Sequence, residues 1–205
     1  MDTTTLAAFL AVDLLLVFTP GADWAYAISA GLRGRSVVPA VTGLIAGHAA
    51  YALVAVAGLA VIVASSPAAL TALTVAGAGY LLWLGWGVLR QPAVPAAAGD
   101  SAGTSRLQVM LKGFGISGLN PKALLLYFAL FPQFIHPAAG WPVAAQTGLL
   151  GTMHLTACAV VYLAVGLLAR TVLSTRPSAA RAVTRISGAM MIAIGAFLLV
   201  ERLAG

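Results

Sequence analysis

The chain has 205 residues, 61% of them hydrophobic and only 8% charged, with a formal net charge of +6. An ordinary soluble domain carries about 25% charged residues, so this composition excludes one and marks an integral membrane protein. The basic residues sit singly at the ends of apolar runs, an orientation signal of membrane proteins that excludes a nucleic-acid patch.

At about 20 apolar residues per crossing, the length holds roughly six transmembrane helices with short loops and no soluble domain. The first expected span is 6–32. No basic stretch precedes its apolar run and no small-residue cleavage site follows, so Met1 to Thr19 is expected to begin the span rather than to be a removed signal. The run is interrupted at Phe18-Thr19-Pro20-Gly21-Ala22-Asp23. Proline removes one helical hydrogen bond and ejects another, and hydrocarbon offers no water to replace them, so such a break belongs beside a polar cavity.

Span two is expected over 37–64 and contains Gly43-Leu44-Ile45-Ala46-Gly47 ahead of His48. The GxxxG spacing allows close helix packing, and His48 reads either as a packing histidine or as a proton-handling group. Span three, 68–89, is rich in glycine and aromatic residues and reads as packing and interface anchoring. Residues 91–106 then run through Pro92, Pro95 and Gly103, a small and polar composition expected to form a cytoplasmic linker between two halves, 1–90 and 107–205.

Span four, 107–135, repeats the interruption at Leu119-Asn120-Pro121-Lys122. A lysine at mid-membrane depth costs about 2.5 to 3.5 kcal/mol on insertion scales and usually marks a pathway or a paired site. Span five, 141–169, carries His154, which reads as a packing histidine. Span six is expected over 183–203. The loops after spans one, three and five hold nearly all Arg and Lys, which places both termini outside the cytoplasm. Cys158 is the only cysteine, so no internal disulfide or cysteine-pair relay can form.

The halves correspond in feature order: a proline-broken span, a long span with one histidine, then a plain apolar span. Three spans is an odd number, so the second half crosses in the opposite sense, and the expected architecture is an all-α 3+3 inverted repeat with broken helices one and four. Counting about 1.5 Å per residue, Pro20, Asp23, His48, Lys122 and His154 all fall roughly 14 to 20 Å deep, near the bilayer centre.

The expected substrate-binding residues are therefore Thr19, Pro20, Gly21, Asp23, His48, Asn120, Pro121 and Lys122, with the half-helix ends after each break offering N–H groups to a carboxylate. Asp23 and Lys122 read either as a structural ion pair or as the grips for the ammonium and carboxylate of an amino acid. Asp13, Asp23 and His48 are the proton-coupling candidates, Asp13 reading equally as a wetted vestibule residue. No metal or cofactor is expected. A competing reading comes from Gly115-Ile116-Ser117-Gly118, which matches the GxSG pattern of rhomboid-type intramembrane proteases. Those enzymes draw a histidine base from span six, and here that span has none.

At these motifs the chain resembles the LysE/RhtB family of amino-acid exporters, particularly the homoserine and threonine efflux branch. The carrying residues are Phe18 to Asp23, Gly43 to His48, Gly77-Ala78-Gly79-Tyr80-Leu81-Leu82-Trp83-Leu84-Gly85, and Gly113-Phe114 through Asn120-Pro121-Lys122-Ala123 to Phe131-Pro132-Gln133-Phe134. Ala22 stands where many relatives carry a second proline. The resemblance implies a six-span exporter in the bacterial inner membrane, moving amino acids or close derivatives with the proton gradient. It has the bilayer and a small-molecule substrate as partners and no catalytic activity; a passive facilitator is the alternative in the same class. The sequence leaves open whether the chain forms a homo-oligomer.

Overall fold

The computed structural model describes residues 1–32, 37–65, 67–90, 105–138, 140–169 and scattered helical positions between 182 and 200. Among the described residues all regular structure is helical. Helix α1 spans Thr3–Val17, α2 Ala22–Leu32, α3 Val37–Ser65, α4 Pro67–Arg90, α5 Arg106–Gly118, α6 Pro121–Leu125 and α7 Val143–Leu168. Past α6 the chain continues as a π turn, Leu126–Leu130, and a 3-10 turn, Phe131–Phe134. Residues 91–104 of the expected 91–106 linker, Arg170, Arg176 and Arg181 of the basic loop, and much of the sixth expected span lie outside the described residues.

Local chemistry sets several of these boundaries. Asp2 caps α1 by accepting from the Thr5 N–H and hydroxyl, and the Thr5 backbone bond holds its carboxyl below the usual carboxylate range. Ser105 and Gln108 close a reciprocal capping box at the start of α5. Asn120 caps α6 by accepting from the Lys122 N–H, with Pro121 in the first turn where no donor is missed.

Two helices, Val37–Gly58 within α3 and Val143–Leu168, are each long and apolar enough to cross a membrane. The pairs α1 with α2 and α5 with the helical run 122–134 qualify when each is taken as one crossing, bent by 58° and 60° respectively. The described residues therefore hold two to four candidate spans, and both bends fall at the expected proline breaks. Leu53, Val54, Leu107, Leu111, Val160 and Leu167 are exposed, an apolar outer surface that suits lipid and not water.

Helix α3 is the spine, packed along α5 on one side and α7 on the other. Its approach to α5 is backbone to backbone. A Cβ at Gly47 would lie 2.6 Å from the Cβ of Ser117, and one at Gly43 would run into the Met110 carbonyl oxygen. The GxxxG spacing thus does what its sequence implies, and it brings His48 to the level of the second break. Two apolar clusters flank the interior: one holds Phe9, Leu16, Tyr127, Phe131 and Leu150, the other Val17, Tyr26, Leu44, Cys158 and Tyr162.

Candidate functional site

The first break is a complete exercise in rehousing carbonyl groups. Helix α1 ends at Val17, and its last carbonyl oxygens have no partner one turn on. That of Leu14 accepts from the Phe18 N–H, that of Leu15 from the Thr19 hydroxyl at 2.8 Å, and that of Val17 from the Trp24 indole at 2.8 Å. The Leu16 carbonyl accepts from the Thr19 N–H and, at 3.2 Å, from Lys122 Nζ, which also donates to the Thr19 carbonyl at 2.9 Å. An ammonium therefore sits on the C-terminal end of α1, the negative end of its dipole.

The second break is organised around the other charge. Asp23, in the first turn of α2, reaches across and accepts from the Ser117 hydroxyl at 2.8 Å, the Asn120 side-chain amide at 3.0 Å, the Tyr162 hydroxyl at 3.2 Å and the His48 ring at 3.3 Å. The arrangement is crossed. Asp23 lies just past the first break and is held by residues of the second, while Lys122 lies just past the second break and holds carbonyl groups of the first. Among the described residues the two charges make no ion pair with each other. Both are buried, with Asp23 1% and Lys122 7% exposed, so each charge must be matched by local groups.

A hydrogen-bonded chain leads away from Asp23. His48 Nε2 faces Asp23, His48 Nδ1 lies 3.2 Å from His154 Nε2, and His154 Nδ1 lies 2.6 Å from Asp13 Oδ1. It joins α2, α3, α7 and α1 in that order. A carboxylate only accepts, so each imidazole turns an N–H outward to its aspartate and leaves two inner nitrogens facing each other. A single proton shared between them would complete the chain.

The expected site residues are largely gathered here. Asp23, His48, Asn120 and Lys122 line the crossing. Thr19 contributes its carbonyl, and a Cβ on Gly21 would lie 3.7 Å from Lys122 Nζ. Pro20 occupies the first break, and the backbone of Pro121 opens α6, its side chain lying outside the described residues. Asp13 is fully buried and contacts His154. His154 links Asp13 to His48, and Ser117 gives its hydroxyl proton to Asp23.

Tyr162, Tyr127 and Cys158 carried no sequence signal strong enough to single them out. The one available signal was the four-residue spacing of His154 and Cys158, which puts both on one face of a helix. A cavity of about 10 Å³ lined by Leu16, Val17, His48, Lys122, Ala123, Leu126, His154 and Tyr162 gives room for a single water molecule, so the crossing is closed.

Residues 14–202 match the LysE type translocator family. A homoserine/homoserine lactone efflux protein of Salmonella typhimurium is 29% identical over 197 residues, covering 93% of this chain and 94% of that protein. An uncharacterised membrane protein of Vibrio cholerae is 34% identical over 164 residues, 78% of each chain, and a leucine efflux protein of an Enterobacter species is 30% identical over 131 residues, 60% of each. No solved structure matches. With nearly its whole length matched, and with relatives that are bacterial membrane and efflux proteins, the chain belongs to the LysE type translocator family.

Proposed function

We propose that this protein exports amino acids or close derivatives of the homoserine and threonine kind across the bacterial inner membrane, driven by the proton gradient. The observation that carries the reading is the crossed placement of one buried anion and one buried cation at two facing helix breaks. An α-amino acid presents an ammonium and a carboxylate close together. Asp23 takes the ammonium and Lys122 the carboxylate, flanked by Thr19, Pro20 and Gly21 on one side and by Asn120 and Pro121 on the other. Asp13, Asp23 and His48 exchange the coupling proton.

The closed crossing supports alternating access, because substrate can enter only when the two broken helices part. The proposed frame is six spans in a 3+3 inverted repeat, halves 1–90 and 107–205, with both termini outside the cytoplasm. A proton moving through about 150 mV is worth roughly 3.5 kcal/mol, enough for a few-hundredfold outward gradient of a neutral substrate. A passive facilitator with the same site would reach equal concentrations and stop.

The test is uptake of a panel of labelled amino acids into inside-out membrane vesicles energised with a proton gradient. Accumulation of homoserine, threonine or leucine that collapses with an uncoupler is the expected result. Equilibration without accumulation would leave a facilitator, and no movement of any amino acid by well-folded protein would defeat the reading.

A further inference from the structure

We propose that His48, His154 and Cys158 form a binding site for a soft divalent cation, Zn²⁺ or Cd²⁺, and that the bound ion pins α3 to α7 and halts the carrier. One edge of a coordination tetrahedron is already in place, the 3.2 Å between His48 Nδ1 and His154 Nε2, while Cys158 Sγ lies 3.4 Å from His154 Nε2 and 3.9 Å from its Nδ1, beside the ring and one side-chain rotation away from joining them. Zinc bonds of about 2.0 to 2.1 Å to nitrogen and 2.3 Å to sulfur place tetrahedral nitrogens about 3.3 Å apart and nitrogen about 3.6 Å from sulfur. The three donor atoms all lie within 4.8 Å of one another, so rotation of the Cys158 side chain is the one movement that coordination needs.

The surroundings match those of a ligating imidazole. Both histidines give their outer N–H to a carboxylate, Asp23 for His48 and Asp13 for His154, the contact that fixes the ring and aims its other nitrogen at a metal. A thiolate with two imidazoles selects d¹⁰ ions over magnesium or calcium. The Tyr127 hydroxyl is buried without a partner among the described residues, its ring 5.4 Å from that of His154.

Coordination needs neutral imidazoles and a thiolate, so the ion displaces the thiol proton and any proton held between the rings. His48 comes from α3, and His154 and Cys158 from α7. A bond through the metal therefore clamps together two helices that flank the crossing.

The binding half of this inference does not depend on the transport reading; the halting half does. The full-length protein, purified in detergent, is titrated with Cd²⁺ while the ultraviolet band of a cadmium thiolate is followed. Cys158 is the only cysteine, so the band reports one site. The expected result is one ion per chain with proton release on binding, no band in Cys158→Ala, and at least tenfold weaker binding in His154→Gln. No band in the folded protein would overturn the site, and so would a band of unchanged affinity in His154→Gln, which marks adventitious thiol binding. If export is established, Cd²⁺ should stop it in the native chain and spare Cys158→Ala. Export that continues with the band saturated would overturn the clamp and leave the site.

Discussion

Replacing Asp23 by Asn separates the charge of this residue from its shape. Three donors, from Asn120, Tyr162 and His48, converge on Oδ2, while Oδ1 takes only the Ser117 hydroxyl. An asparagine with its amide oxygen in the Oδ2 position keeps all three, and the Ser117 hydroxyl can reverse to accept from the new amide. The folding cost is then the difference between charged and neutral hydrogen bonds, about 1 to 2 kcal/mol. Asp23→Ala strands buried donors at about 1 to 3 kcal/mol each and should fold poorly.

The cost to transport is different in kind. A substrate ammonium about 4 Å from the carboxylate gains roughly 4 kcal/mol at an effective dielectric constant of 20, and losing that contact slows export nearly a thousandfold. The assay is the initial export rate in vesicles divided by the amount of monodisperse protein recovered, with thermal unfolding of the purified variant alongside. Asp23→Asn that unfolds within a few degrees of the native protein and exports more than a hundredfold slower is the expected outcome. Export within tenfold of native would refute Asp23 as the ammonium site.

Lys122→Met should also abolish export. Because Lys122 holds the Leu16 and Thr19 carbonyls and not Asp23, the double variant with Asp23→Asn should remain dead; recovery of export in the double would show that the two charges serve only each other. Ser117→Ala removes one hydrogen bond from Asp23 and is expected to slow export by about tenfold, near 1.4 kcal/mol, so complete loss with normal folding would give Ser117 a larger role. Gly43→Ala drives a methyl into the Met110 carbonyl and should destabilise by about 1 to 3 kcal/mol, whereas Gly79→Ala, whose new methyl meets nothing within 4 Å among the described residues beyond its own stretch of helix, should not lower thermal unfolding. A reporter active only outside the cytoplasm should be active when fused after Gly205, and activity instead from a fusion within residues 91–104 would invert the orientation.

Reading depth along a helix from sequence is simple arithmetic, and it placed Asp23, His48 and Lys122 at one level. Both breaks were legible because proline and the polar residues around it cannot continue a helix in lipid. Rotation about the helix axis is another matter. Whether Lys122 faces Asp23 or the end of α1 depends on how helices roll against each other, and contacts such as Gly47 against Ser117 set that roll. His154 meets Asp13 across 141 positions of chain, and a lone histidine in an apolar run carries no mark of so distant a partner. The half-helix ends after each break had suggested anion sites; the structure adds a cation at the opposite kind of end, with Lys122 on the carbonyl end of α1.

The uneven coiling past α6 has a mechanical consequence. Five residues wound wide, Leu126–Leu130, run directly into four wound tight, Phe131–Phe134, so the segment stores slack in one part and extension in the other. A 3-10 turn rises about 2.0 Å per residue against 1.5 Å for an α-helix, and converting four residues from one to the other shortens the segment by about 2 Å. The long run beyond the first break, Ala22–Leu32, is uniform and has no such reserve. The two arms of the crossing thus differ in winding, and only the second holds a reserve of length, with Tyr127 on its widely wound part.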